Sequence, residues 1–234
     1  MNISEMHIAV KLGLDKSSSL ELPAFEPEEI DYWLNKAVLY FINTRYSGNN
    51  IKRESFEQTQ KRLDDLRTLI TEATITPSVG GVSDKPNAYI AALPTPATSY
   101  LYRVGEEVNI NFTESYTGSV INKRQGVTEC TSDTYNHLIN NPFSEHILYL
   151  KEAKPLRLYK GNNVELITDG NYTITAYYLR YLKQPATVSL SGAVSCDLPI
   201  HTHSEIIDIC VGMLLENIES NRYQSFKNET MINE

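Results

Sequence analysis

Apolar residues recur at helical spacing in three stretches near the start of the chain and in one near its end. Ile3, Met6 and Val10 form a stripe that predicts a helix over 2–13, opened by Asn2 and Glu5 as a capping box and closed by Gly13 in a left-handed conformation. A serine-rich loop over 14–26 separates it from a second helix that starts at Pro27, where a missing N–H costs nothing. Phe25 and Ile30 are placed as a hydrophobic staple, and Ile30, Leu34, Ala37, Val38 and Phe41 carry the apolar face to about Tyr46, before the breaker Gly48-Asn49-Asn50. Phe56, Leu63, Leu66, Ile70 and Ala73 predict a third helix over roughly 53–74. Near the end, Pro199 stops the preceding chain, and Thr202 and Glu205 have the spacing of a capping box. Ile207, Val211, Leu214 and Ile218 then supply one buried face.

Between these helices the pattern changes. Gly80-Gly81, Pro86, Pro94 and Pro96 make 77–98 a long irregular excursion, and loops of that length in compact domains tend to be functional or disordered. Strand-like runs follow at Tyr100–Tyr102, Val108–Phe112, His146–Leu150, Leu156–Tyr159, Val164–Thr168 and 172–183, with a short helix at 134–141 stopped by Pro142. Asp169-Gly170 lies between two of these runs and predicts a tight hairpin.

A last helix that follows so much strand must pack on material made much earlier, and the only other helices lie in the first third. The pattern predicts an α+β fold, in which a helical bundle built from the N-terminal helices and the C-terminal helix carries an inserted antiparallel β domain. The divisions are 1–76 for the N-terminal bundle segment and 77–197 for the β-rich insertion with its long loop at 77–98. The C-terminal helix returns to the bundle over 198–222, and 223–234 is a polar tail.

Composition narrows the function classes. The net charge is −8, from 29 acidic and 21 basic residues, with no concentrated basic surface of the kind that grips phosphates. Cys130, Cys196 and Cys210 show no paired spacing and leave one over, which argues against a disulfide framework and a structural zinc site. No apolar run approaches the length of about 18 residues that a membrane helix needs, and the start of the chain does not read as a secretory leader, so no membrane contact is expected.

Candidate chemistry is sparse. His201 and His203, with Glu205 and Asp208 close by, are the sharpest metal-ligand suspects. Alternate residues at a helix start point apart, however, whereas helical metal sites use positions four apart. Cys130 and His137 could be paired as nucleophile and base, but nothing in the sequence orients them. There is no phosphate-binding glycine loop, no GxSxG and no HExxH, and no cofactor is expected. Eleven of the fifteen tyrosines lie between 89 and 181, which leaves open a sugar-binding face as well as a role in filling and edging a sheet.

Several phrases in the second half have a familiar outline: Pro142-Phe143, Pro155-Leu156-Arg157-Leu158, Val164-Glu165-Leu166-Ile167, Tyr178-Leu179-Arg180-Tyr181-Leu182-Lys183-Gln184-Pro185, and the run Leu198-Pro199-Ile200-His201-Thr202-His203-Ser204-Glu205-Ile206-Ile207. The chain resembles the neck or ring structural proteins of tailed bacteriophages, especially those of crAss-like phages, and more distantly the head-to-tail adaptor or tail tubular protein A architecture. The likeness is strongest over 142–222, while 1–75 agrees in helix order only.

The resemblance implies a virion structural protein without catalysis, made in the bacterial host cytoplasm. It would form one subunit of a ring with about twelve copies, stacked below the portal among other neck or tail proteins, with DNA passing through and no specific grip on it. The acidic balance agrees with a conduit for phosphates. In a cyclic ring the contacts are heterologous, and long arms add interface without enlarging the core. The arms expected to supply it are 77–98, through Tyr89, Ile90 and Leu93, and the tail, through Tyr223 and Phe226. Two other readings compete. A carbohydrate-binding or adhesive module would show a cluster of exposed tyrosine rings, and a hydrolase centred on His201 and His203 would hold a metal.

Overall fold

The computed structural model describes residues 1–15, 25–47, 56, 59–79, 85–95, 99–114, 116–141, 143 and 153–218. The fold is α+β, with helices at both ends of the chain and strands between them. The chain divides into two compact units, one made of Met1–Leu69 with Pro185–Glu234 and the other of Ile70–Gln184.

In the first unit, α1 (Ile3–Asp15) opens as the sequence predicts. The Glu5 N–H donates to Asn2 Oδ1 at 2.8 Å, and the Asn2 N–H donates to Glu5 Oε2 at 3.0 Å. Gly13 does not close the helix but lies inside it. A Cβ at that position would stand 2.8 Å from Val211 Cγ2, so the missing side chain lets α1 approach the last helix. α2 (Pro27–Tyr46) begins at its proline behind a Glu26/Glu29 capping box and buries Ile30, Leu34, Ala37, Val38, Phe41 and Ile42. The last helix, α5 (His203–Asn217), packs on both α1 and α2 and buries Ile206, Ile207, Cys210, Val211, Leu214 and Leu215. Each such aliphatic side chain contributes roughly 1.5–3 kcal/mol through removal from water, which far exceeds what helix propensity supplies.

Two further helix predictions change. The capping box at Thr202 and Glu205 does not form. Thr202 has helical angles (φ −87°, ψ −14°) at the end of a 3-10 turn over Ile200–Thr202, and its hydroxyl donates backwards to the Pro199 carbonyl at 2.8 Å. Glu205 instead accepts a hydrogen bond from Arg45 of α2. The third helix is also much shorter than 53–74. Within the described residues it is α3 (Gln60–Leu66) followed by a 3-10 turn over Arg67–Leu69, and Ile70–Ile75 forms a strand. Ile70 and Ala73, three apart, have helical spacing and fall on opposite faces of a strand, so pairing with a distant strand overrides the local pattern.

The second unit is a pair of facing sheets. One sheet has the order β1-β9-β4-β5, formed by β1 (Ile70–Ile75), β4 (Tyr100–Thr113), β5 (Val120–Gly126) and β9 (Thr173–Lys183), and it is antiparallel throughout. The other has the order β2-β3-β8-β7-β6, formed by β2 (Ser78–Val79), β3 (Ala88–Ala92), β6 (Thr128–Glu129), β7 (Leu156–Lys160) and β8 (Asn163–Ile167). Here the expected antiparallel pattern has one exception, because β6 runs parallel to β7. Val108, Ile110, Phe112, Ile174, Tyr177, Leu179 and Tyr181 of the first sheet meet Tyr89, Ala91, Val164 and Leu166 of the second in one core. On the far side of the second sheet, Ala88, Leu156, Leu158 and Ile167 pack with Cys130 and with Tyr135 of α4 (Tyr135–Asn140).

The hairpin expected at Asp169-Gly170 is absent. β8 already has β3 and β7 as neighbours, and β9 has β1 and β4, so neither has an edge to offer the other. The turn is a corner between sheets. The Thr168 N–H and hydroxyl both donate to the Asn87 carbonyl, and Gly170 takes φ +91° against the Asn87 side chain. The real two-residue hairpin lies one turn earlier, at Gly161-Asn162 between β7 and β8, with Gly161 at φ +61°. The excursion over 77–98 is likewise more regular than expected, because β2 and β3 pair within it and β3 pairs with β8. The strand expected at 146–150 and the polar tail lie outside the described residues.

Candidate functional site

The polar chemistry of the β unit is concentrated in two places. The first lies within it, between the sheets. Glu106 of β4 and Arg157 of β7 are both withdrawn from solvent, with Arg157 Nε 3.2 Å from Glu106 Oε1. Arg103 donates to the same carboxylate at 2.6 Å, and the Tyr177 hydroxyl donates to its other oxygen at 2.8 Å. Glu129 of β6 completes the set, 2.8 Å from Arg157 Nη2 and 3.3 Å from Arg103 Nη2. Burial works against the charge on Arg103, but Glu106 and Glu129 outweigh it and hold its pKa above the usual value. Burial and the neighbouring Glu106 also push the Tyr177 phenol up. Four strands are thereby tied to one carboxylate pair.

The second place is the outer face of the β1-β9-β4-β5 sheet. Glu72 of β1 pairs with Arg180 of β9, whose Nε lies 2.8 Å from the Glu72 carboxylate. Glu107 of β4 pairs with Arg124 of β5, and the Arg124 guanidinium lies 4.2 Å over the Tyr178 ring. Gly105 has open space where a side chain would stand, and the register of β4 against β9 shifts beside it. The result is a cleft of about 430 Å³ lined by Gly105, Thr74 and Tyr178 and by the paired charges. Reading 53–74 as helix hid this row, because Glu72 and Thr74 join one exposed face only when the spacing is two.

The residues singled out in the sequence fall in different settings. Tyr89 is buried in the core between the sheets, at 7% exposure. Ile90 and Leu93 are half-buried, and Leu93 packs against that same core. Tyr223 and Phe226 lie outside the described residues. His201 and His203 diverge. His201 Nε2 is 2.9 Å from Asp65 Oδ1, while His203 is buried with its Nε2 2.9 Å from the Leu198 carbonyl. Among the described residues no group of three or more His, Cys, Asp or Glu is arranged to hold a metal ion. Cys130 is buried with its Sγ 3.3 Å from the Thr131 carbonyl, and His137 is exposed on α4. In the β unit Tyr89, Tyr135, Tyr172, Tyr177 and Tyr181 are core residues, whereas Tyr116 and Tyr159 are exposed, and the Tyr159 hydroxyl lies 3.1 Å from that of Tyr100.

The described chain therefore spends its charged and aromatic residues on internal ties and on one charged sheet face. The profile of the phage tail ring protein 3/4 family of crAss-like phages matches residues 1–225, across both units. The chain belongs to this family. A tail ring protein is a structural part of the virion, which agrees with polar groups that brace a scaffold instead of converging on a reacting centre. Comparison with curated proteins gives no match. Among the described residues no helix is long and apolar enough to cross a membrane.

Proposed function

We propose that this tail ring protein assembles with copies of itself into a closed ring in the head-to-tail connector, stacked between the portal and the tail, with no catalytic role. The observation that carries the proposal is the family match over 1–225, which takes in the whole of the β unit and all but the last nine residues of the helical one. The ring has about twelve copies, matching a cyclic portal, and each subunit presents two different surfaces to its neighbours. DNA passes through without specific contacts. The net charge of −8 supports this, because like charge keeps the duplex from adhering to the wall. The arms contribute to contacts between subunits through Ile90 and Leu93 and through Tyr223 and Phe226. Tyr89, inside the core, anchors the strand that carries Ile90. The chain is made in the host cytoplasm and recruited during assembly.

Quantitative mass spectrometry of purified particles tests this reading. A small fixed copy number, about twelve and equal to that of the portal, is the expected result. Finding the chain in lysate but not in particles would remove it.

A further inference from the structure

Among the described residues, the two sheets of the β unit end differently. The sheet made of β2, β3, β8, β7 and β6 finishes on both sides in strands of two residues, which leaves little edge to pair. The β1-β9-β4-β5 sheet finishes in β1, of six residues, and β5, of seven. Both are regular. β1 runs against β9 and β5 against β4 without a register shift, so neither edge is bent away by a bulge, and neither contains proline.

We infer that these two edges meet in the assembled ring, β1 of one copy adding to β5 of the next, so that the sheet continues from subunit to subunit. The inference rests on the ring reading above and names the surface that closes it. Three observations point to a second copy as the occupant. The first is strand direction. The four strands alternate, so β1 and β5 run oppositely, and a rotation that does not invert the subunit brings the next β1 antiparallel to β5.

The second is the pattern of faces. Ala73 and Ile75 of β1 and Ile121 of β5 pack on the core side, while Glu72 and Thr74 of β1 and Arg124 of β5 lie on the outer face, exposed or around the cleft. Joining the edges therefore continues a polar row on the outer face, from Asn122 and Arg124 of one copy to Glu72 and Thr74 of the next, while on the core side Ile121 of β5 is accompanied by Lys123 and Gln125. The third is charge. Across the outer face the order is Glu72, Arg180, Glu107, Arg124, an acid on the β1 edge and a base on the β5 edge. The next copy's Glu72 extends the alternation beside Arg124. A two-fold pairing of identical edges would instead set acid against acid or base against base.

The test uses particles assembled on variant full-length chains. Thr74→Cys and Asn122→Cys are combined in one chain, with Thr74→Cys plus Arg124→Cys as a second register, and oxidised particles are run on a non-reducing gel. A ladder of dimers and higher multimers from a paired variant, but not from either single variant, is expected. In parallel, Glu72→Arg, which sets like charge beside Arg180 at an exposed position, should lower the unfolding midpoint of the isolated chain only slightly and lower its copies per particle about tenfold. Copy number equal to wild type in Glu72→Arg, with no ladder from either cysteine pair, would overturn edge-to-edge joining while leaving the ring intact. Absence of the wild-type chain from particles would overturn the ring reading itself.

Discussion

Arg157 of β7 and Glu106 of β4 face each other at 3.2 Å across the gap between the two sheets, with neither side chain open to water. A charge in that position is tolerated only because its partner is present, and removing one member strands the other. Arg157→Met should cost about 3 kcal/mol in the stability of the β unit. The check is urea unfolding followed by tyrosine near-UV circular dichroism, since most tyrosines lie in this unit. A loss well under 1 kcal/mol would mean that Arg103 alone neutralises Glu106.

Gly13 bears on the helical unit in a similar way. Gly→Ala inside a helix ordinarily gains close to 1 kcal/mol, but here the new Cβ would stand 2.8 Å from Val211 Cγ2, on a stiff β-branched side chain. Gly13→Ala should therefore destabilise the unit by about 1–3 kcal/mol. Gly13→Ala in a Val211→Ala background should be neutral or favourable. Fluorescence of Trp33, the single tryptophan, on α2 of this unit, reads both.

Asp65 joins Arg45 and His201, yet the two contacts differ. Arg45 Nε lies 3.1 Å from Asp65 with both side chains buried, whereas the His201 side chain is 54% exposed. Asp65→Ala should cost about 3 kcal/mol, because the buried Arg45 then loses its buried carboxylate partner. His201→Ala should cost about 0.5 kcal/mol or less. Paired denaturation curves separate the two. A His201 cost as large as that of Asp65 would show that the imidazole carries the network.

The Tyr177 phenol gives a signed pH dependence. Burial and Glu106 raise its folded value, so its contribution is complete below the ordinary phenol range near about 10 and is lost as pH rises above it. Tyr177→Phe should be less stable than wild type by about 1.5 kcal/mol at pH 8 and should fall less steeply above pH 10. Stability measured in urea across that interval decides it. Parallel slopes in the two proteins would mean that Tyr177 does not hold its proton in the folded state.

Burial pushes the Cys210 thiol up to about 12, and Cys196 is raised for the same reason. At pH 8 the native chain should therefore resist alkylation at Cys210, and all three cysteines should react once it is unfolded. Peptide mapping of the alkylated protein gives the answer, and labelling of Cys210 in the native chain would contradict its place in the core.

The helices at both ends were legible because their signals are local. The stripe from Ile30 to Phe41, the Asn2–Glu5 box and the face from Ile207 to Leu214 each repeat within a few residues, so the α+β class and the return of the last helix to the first could be read directly. The β unit was less legible, because a strand's partners lie far away in the sequence. Asp169-Gly170 has the residues of a tight hairpin, but β8 is already flanked by β3 and β7, so the same residues form a corner between sheets. Ile70 and Ala73 have helical spacing, yet pairing with β9, more than 100 residues on, makes them strand. Thr202 is spaced for a cap, but Arg45 claims Glu205. Spacing along the chain determined where apolar faces form, since each turn or pleat is set by its own few residues. The choice of which faces and edges meet belonged to the folded chain, because burial and hydrogen bonding are settled among all segments at once.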